Sequence, residues 1–267
     1  MESDALKGSG LTRLKSLMER LRGEDGCPWD REQTLASLTP FIIEEAYEVV
    51  SAIDSGDTAH IKEELGDLLF QVVFSCRILE EDKKGDINEV MDQCVEKMIR
   101  RHPHVFADTH CDTSAEVLER WEEIKAGEKK KAPVTEGSLF EVPSAMPSLM
   151  RAHKISKKAA KAGFEWPHIN GVMEKVREEL GEFEEAVKCG DSDAMEEELG
   201  DVLFTLVNAG RFLEVSPEEA LRKTISKFIR RFHYVEKKAA QEGGMNDAGM
   251  ETLNRLWEEA KAEERKK

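Results

Sequence analysis

Glu44-Glu45-Ala46-Tyr47-Glu48 and Glu63-Glu64-Leu65-Gly66-Asp67 recur 134 residues later as Glu178-Glu179-Leu180-Gly181-Glu182 and Glu197-Glu198-Leu199-Gly200-Asp201. Across 44–67 and its counterpart, eleven of twenty-four residues are identical without a gap. The match continues through Leu69/Leu203, Phe70/Phe204, Arg77/Arg211 and Leu79-Glu80/Leu213-Glu214. The first copy then carries four extra residues, after which Ile99-Arg100-Arg101 meets Ile229-Arg230-Arg231. One structural unit is therefore present twice.

Each copy has the apolar period of helices rather than strands. In the first, Ile42, Ala46, Val49, Val50 and Ile53 mark a helix over 41–53. A turn at Asp54-Ser55-Gly56-Asp57 leads to a second helix over 59–80, with Asp57 or Thr58 as its cap. Its residues Leu65, Leu68, Leu69, Val72, Val73 and Cys76 are expected to face a core. A third helix over 87–101 stops before Pro103. The second copy repeats the plan at 172–187, 193–213 and 217–235, where Pro217 suits a first helical turn. Short helices carrying Trp121 and Trp257 close the copies. The chain thus reads as all-α, with domains at 1–126 and 148–267 and a linker over 127–147 that holds Lys129-Lys130-Lys131, Pro133, Gly137, Pro143 and Pro147. Residues 261–267 read as a fraying, charged tail. Three such helices make a thin core, and a four-helix-bundle-like arrangement would complete it. The fourth part can come from the other repeat or from a second subunit, the latter giving a homodimer.

Composition narrows the partners. With 55 acidic against 39 basic residues the net charge is -16, which repels nucleic acid and anionic membranes. No apolar run is long enough to span a bilayer, and Met1 to Gly10 lacks a signal-peptide pattern. The five cysteines are odd in number and scattered, which points to free thiols in a reducing compartment, the cytoplasm.

The repeated acids suggest chemistry. Residues three apart share a helix face, so Glu45 and Glu48 point together, as do Glu64 and Asp67. On antiparallel neighbouring helices the four meet across one groove; Glu179, Glu182, Glu198 and Asp201 do the same in the second copy. Like charges this close raise one another's pKa values and call for a cation. Oxygen ligands suit Mg2+, with Mn2+ as a substitute, and no His or Cys is expected nearby to favour zinc. Such an ion can carry triphosphate oxygens and activate water. Gly66 and Gly200, costly inside helices, suggest close approach of a helix or a ligand. The alternative is an acidic face that merely meets solvent.

The order Glu-x-x-Glu, a sixteen-residue step, then Glu-x-x-Asp resembles the MazG family of nucleoside triphosphate pyrophosphohydrolases. Gly26-Cys27-Pro28-Trp29-Asp30-Arg31-Glu32-Gln33-Thr34 is similar to the opening of that family's first domain, and Phe164-Glu165-Trp166-Pro167 to the entry of its second. The resemblance covers about 10–260. It implies metal binding by the eight carboxylates named above, and cleavage of nucleoside triphosphates between the α- and β-phosphates to monophosphate and pyrophosphate. It also implies broad tolerance of ribo- and deoxynucleotides, a dimer with sites between subunits, and catalysis chiefly in the second domain. A narrower house-cleaning enzyme for deoxy or modified nucleotides stays open. So does a scaffold that binds nucleotides or an unidentified regulatory protein without turnover.

A triphosphate also needs cations from the protein. Lys227 and Arg231 share one face of the third helix of the second copy, and Lys97 and Arg101 match them in the first. The resemblance gives Lys227 and Arg231 a phosphate-binding role; Arg230 and Arg100 lie one step round. Lys223 adds charge in the second copy, where the first has Gln93, and Arg222 stands against Asp92. The second copy therefore reads as the more active. Simple pairing of these cations with surface acids is the other reading. Trp257 is either a stacking platform for the base or a packing residue beside Leu253 and Leu256, and Trp121 is its match. Trp29 and Trp166 read as packing anchors.

Overall fold

The protein is described by a computed structural model over residues 10–107, 109–130 and 141–265. Two compact units divide it, Met1–Pro133 and Val134–Lys267. Among the described residues the regular structure is entirely helical. The first unit contains α1 (Gly10–Leu21), α2 (Pro28–Glu32), α3 (Leu35–Ser55), α4 (Thr58–Glu81), α5 (Ile87–Arg101), α6 (Pro103–Phe106) and α7 (Ser114–Lys130). The second contains α8 (Ser148–Lys161), α9 (Ile169–Cys189), α10 (Ser192–Phe212), α11 (Pro217–Ala239) and α12 (Met250–Glu264). Within the stretch read as linker, α7 continues to Lys130 and α8 begins at Ser148, while 131–140 lie outside the described residues.

In each unit the pair that bears the acidic motifs, α3/α4 or α9/α10, forms a helical hairpin. Its corner is built alike in both copies. Gly56 and Gly190 end their helices at φ 72° and 71°, left-handed conformations that cost a glycine nothing. Asp57 and Asp191 then cap the next helix, each accepting from the two backbone N–H groups of its first turn. α3 begins six residues before the expected start, ahead of Pro40, because Thr34 and Ser37 form a reciprocal capping box. That cap offsets the one backbone bond the proline removes.

Neither unit relies on three helices. α1 packs on α4 in the first unit, and α8 packs on α10 and α11 in the second. Met18, Leu38, Val73, Phe74, Cys76, Ile78 and Ile87 make the first core. In the second, Arg211 joins the layers: it donates from Nε to Ser156 (2.7 Å) and from both terminal nitrogens to Glu165 (2.5 and 2.7 Å).

Half of the expected core face of α4 is not core within the unit. Val73 and Cys76 are buried, but Leu65, Leu69 and Val72 are 42–48% exposed. Ile42 and Ile53 on α3 are exposed as well. The matched stripe on α10, Leu199, Leu203 and Leu206, behaves in the same way. Helical periodicity marks an apolar face without saying what covers it. Trp29, expected to anchor packing, is also exposed and meets Phe41 only edge-on.

Candidate active site

The hairpins bring the acids together. One oxygen each from Glu45 and Glu48 on α3 and from Glu64 on α4 lie within 4.8 Å of one another. Glu179 and Glu182 on α9 with Glu198 on α10 form the equivalent group. Glu64 and Glu179 are buried, a place where a carboxylate needs a partner. Desolvation raises the pKa of Glu45, helped by Asp67, Glu48 and Glu64 and opposed by a hydrogen bond from Gln71. In the second unit a hydrogen bond with Glu179 raises the pKa of Glu182. Desolvation and the charges of Glu179 and Glu198 add to it, while Lys175 opposes. The donors that converge in each of these two groups are carboxylate oxygens. Such a donor set fits a hard divalent cation.

Asp67 and Asp201 stand outside the two close groups. Three residues beyond Glu64 and Glu198, each is turned by roughly 60° and displaced ~4.5 Å along its helix. Asp67 nevertheless acts on Glu45 through its charge. A Cβ placed at Gly66 or Gly200 would meet nothing within 4 Å, so no helix of the same unit explains either glycine. Both leave the hairpin face open beside the acids.

Two basic partners escaped the sequence reading. His60 Nε2 lies 2.9 Å from Glu64 Oε1, and Lys175 Nζ lies 2.9 Å from Glu179 Oε1. Each precedes its acid by four residues, the spacing that would have revealed it. The expectation of no histidine near the acids is thus incorrect for the first unit. The copies also differ here: Ala194 stands at the position of His60, and Phe41 at that of Lys175.

The cations expected to grip phosphate form a separate group. Arg231 Nε donates to Glu264 Oε2 at 2.8 Å, Arg230 Nε lies 3.6 Å from the other oxygen, and the charge of Lys227 acts on the same carboxylate. The Arg231 guanidinium lies 5.9 Å from the centre of the Trp257 ring. Trp257 also packs beside Leu256, Val235 and Ala239 and tilts against Phe228, so it serves the core with part of its surface. In the first unit Arg100 and Arg101 hold Glu128, with Arg101 5.7 Å from the Trp121 ring. Lys97 is half-buried and Lys223 exposed, whereas Arg222 pairs with Glu219. No ion pair joins Lys227, Arg230 or Arg231 to Glu179, Glu182 or Glu198 among the described residues. The stretch from Lys261, expected to fray, continues α12 to Glu264 because Arg231 anchors its end.

A family model described as the MazG nucleotide pyrophosphohydrolase domain matches residues 33–106 and 169–235, the two hairpins with their third helices. The chain belongs to the MazG family of nucleotide pyrophosphohydrolases. It is 43% identical over 258 residues to the nucleoside triphosphate pyrophosphohydrolase of Escherichia coli strain K12, covering 95% of this chain and 98% of that one. It is 44% identical to the nucleoside triphosphate pyrophosphohydrolase/pyrophosphatase MazG of Thermotoga maritima, over 93% of this chain and 94% of that one. The crystal structure of a mazG-related protein from Thermotoga maritima covers 43% of this chain and 97% of its own, at 29% identity and a TM-score of 0.37. The all-α tandem fold and the enzyme class expected from the MazG-like motifs both hold.

Proposed function

We propose that this MazG enzyme hydrolyses nucleoside triphosphates, ribo and deoxy, between the α- and β-phosphates, releasing a monophosphate and pyrophosphate. The observation that carries this reading is the convergence of three carboxylates at matching positions in both units. Glu179, Glu182 and Glu198, with Asp201 beside them, would hold Mg2+ or Mn2+ in the second unit. Glu45, Glu48, Glu64 and Asp67 would do so in the first. A cation held there offsets the charge of the polyphosphate and makes its phosphorus more open to attack by water.

The protein's own cations do the rest. Lys227, Arg231 and Arg230, with Lys223 near the start of α11, bind the phosphates that the metal leaves uncompensated. Trp257 offers its free surface to the base. A stacking contact does not discriminate strongly between bases and suits broad substrate acceptance. Lys175 holds Glu179 in place and lowers the cost of gathering acids on one face.

This reading includes a homodimer. The stripes Leu65/Leu69/Val72 and Leu199/Leu203/Leu206 begin one residue after Glu64 and Glu198 and are left half-exposed by their own units. A second copy covering them would bring another chain's side chains to the acids, which make no ion pair with Lys227, Arg230 or Arg231 of their own unit among the described residues. The cytoplasm, where free thiols and nucleotides coexist, is the place we assign it.

A panel of nucleoside triphosphates with Mg2+, followed for pyrophosphate and orthophosphate at once, tests the cleavage position. Pyrophosphate as the first product across several bases is expected. Orthophosphate released first would overturn the assignment.

A further inference from the structure

A buried amide is turned into the acid group of the first unit. Gln71 follows Asp67 by four residues and Glu64 by seven on α4, one and two helical turns along the same face. The residue is 9% exposed, and its side chain hydrogen-bonds Glu45 across the hairpin. An ionised carboxylate only accepts, so the amide presents an N–H to Glu45. Its oxygen, fixed on the same planar group, is thereby held beside the acids.

That oxygen, Gln71 Oε1, is buried and has no hydrogen-bond partner among the described residues. Few buried acceptors in folded proteins stay unpaired, because an unpaired one costs stability. Glu45, Glu48 and Glu64 supply no donor, since ionised carboxylates are acceptors too, and His60 Nε2 is turned to Glu64. A hydrated Mg2+ or Mn2+ brings donors of the required kind, because the ion keeps several waters and polarises their O–H groups. The second copy has Thr205 at the matching position, also buried but with a shorter side chain, and there Lys175 engages Glu179 instead.

We propose that Gln71 is a positioning residue of the first unit's metal site: its N–H steadies Glu45, and its Oε1 accepts from a water carried by the ion that Glu45, Glu48 and Glu64 hold. The proposal rests on the reading of these acids as ligands of a divalent ion. It makes the two sites different in kind. A neutral amide arranges both an acid and the ion's water in the first unit, whereas an ammonium group arranges the acids in the second.

Mn2+ is the probe, added to the full-length chain carrying Glu182→Gln and Asp201→Asn so that the first unit is read alone. Gln71→Met keeps the length of the side chain and removes both polar atoms of the amide. It should weaken Mn2+ binding by about 10- to 100-fold, read from the paramagnetic resonance signal of the free ion. At saturating Mn2+, the nuclear relaxation of labelled water oxygen should show the bound ion exchanging its water about threefold faster or more. A residue that only supports the fold would leave that exchange rate unchanged. Gln71→Glu, which keeps an acceptor oxygen and loses the N–H, serves if the Met variant unfolds, and its exchange should stay as slow as in the background chain. Unchanged affinity in Gln71→Met, weakened affinity with unchanged exchange, or fast exchange in Gln71→Glu would overturn the proposal and leave the functional reading intact. A background chain that binds no Mn2+ would overturn the proposal together with metal binding by the first unit.

Discussion

Glu179 and Glu182 face each other carboxyl to carboxyl, one hydrogen-bonded to the other, with Glu198 completing the group from the next helix. One turn of helix separates the pair, so the backbone enforces a repulsion that ordinary surface acids avoid by spreading apart. The pKa of Glu182 is raised in consequence, and that of Glu45 in the first unit is raised by desolvation first and by the charges of Asp67, Glu48 and Glu64 after it.

Stability should therefore depend on pH and metal together. A carboxyl whose pKa is raised on folding contributes stability at pH below its unfolded value and loses it as pH rises through its folded value. Glu45 and Glu182 thus penalise the metal-free fold near neutrality. In chelator, Tm should rise as the pH is lowered from about 7 to about 5, and Mg2+ should raise Tm more at the higher pH. Glu128, with its pKa near 2, titrates below this window and does not blur it. A Mg2+ effect that is the same at both pH values would contradict the linkage.

Removing one acid should separate stability from activity. Glu182→Gln relieves the repulsion, so the chelated variant should melt no lower than its parent. Its pyrophosphate release in Mg2+ should fall by about 100-fold or more. Loss of activity accompanied by a lower Tm in chelator would mark Glu182 as structural.

The two units should contribute unequally. Glu179→Gln is expected to abolish most turnover, while Glu45→Gln stays within about twofold of the parent kcat/KM. The physical ground is the extra positive charge of Lys223 and Arg222 on the third helix of the second unit, against Gln93 and Asp92 in the first. Equal losses would defeat the asymmetry.

Arg211 should matter for folding rather than chemistry. Its side chain is 11% exposed and bonds both Glu165 oxygens and the Ser156 hydroxyl. Arg211→Ala would leave Glu165 Oε2 and the Ser156 hydroxyl oxygen without their Arg211 donor, with Oε1 still held by the Trp166 N–H, and should lower the unfolding free energy by roughly 2–4 kcal/mol in urea titrations. Arg255, half-exposed with its partners Glu242 and Glu259, should cost far less on the same change, because solvent screens both pairs. Similar costs at both positions would refute the ranking.

Much of this architecture is legible in the sequence. The 134-residue offset exposed the duplication, and i, i+3 spacing placed Glu45 with Glu48 and Glu179 with Glu182. Local signals for Gly56, Asp57 and Pro217 matched the corners they build. What escaped depends on tertiary context. Packing by α1 and α8 needed knowledge of which apolar faces meet. The exposure of Leu65 and Leu199 is invisible to periodicity, which is the same for a core and for a surface awaiting a partner. His60 and Lys175 carried the i+4 signal but lay outside the motif that drew attention. Glu128 and Glu264 sit in Glu- and Lys-rich helix ends, where composition gives no reason to single out one acid among several.

The account depends on the second unit's acids binding a hard divalent ion, and Mn2+ reports that directly through its electron paramagnetic resonance signal. Titrated with Mn2+, the parent protein should deplete the free-ion spectrum, and the Glu182→Gln, Asp201→Asn double variant should lose the sites that the second unit supplies. Equal depletion by parent and variant would show that these carboxylates do not hold the ion.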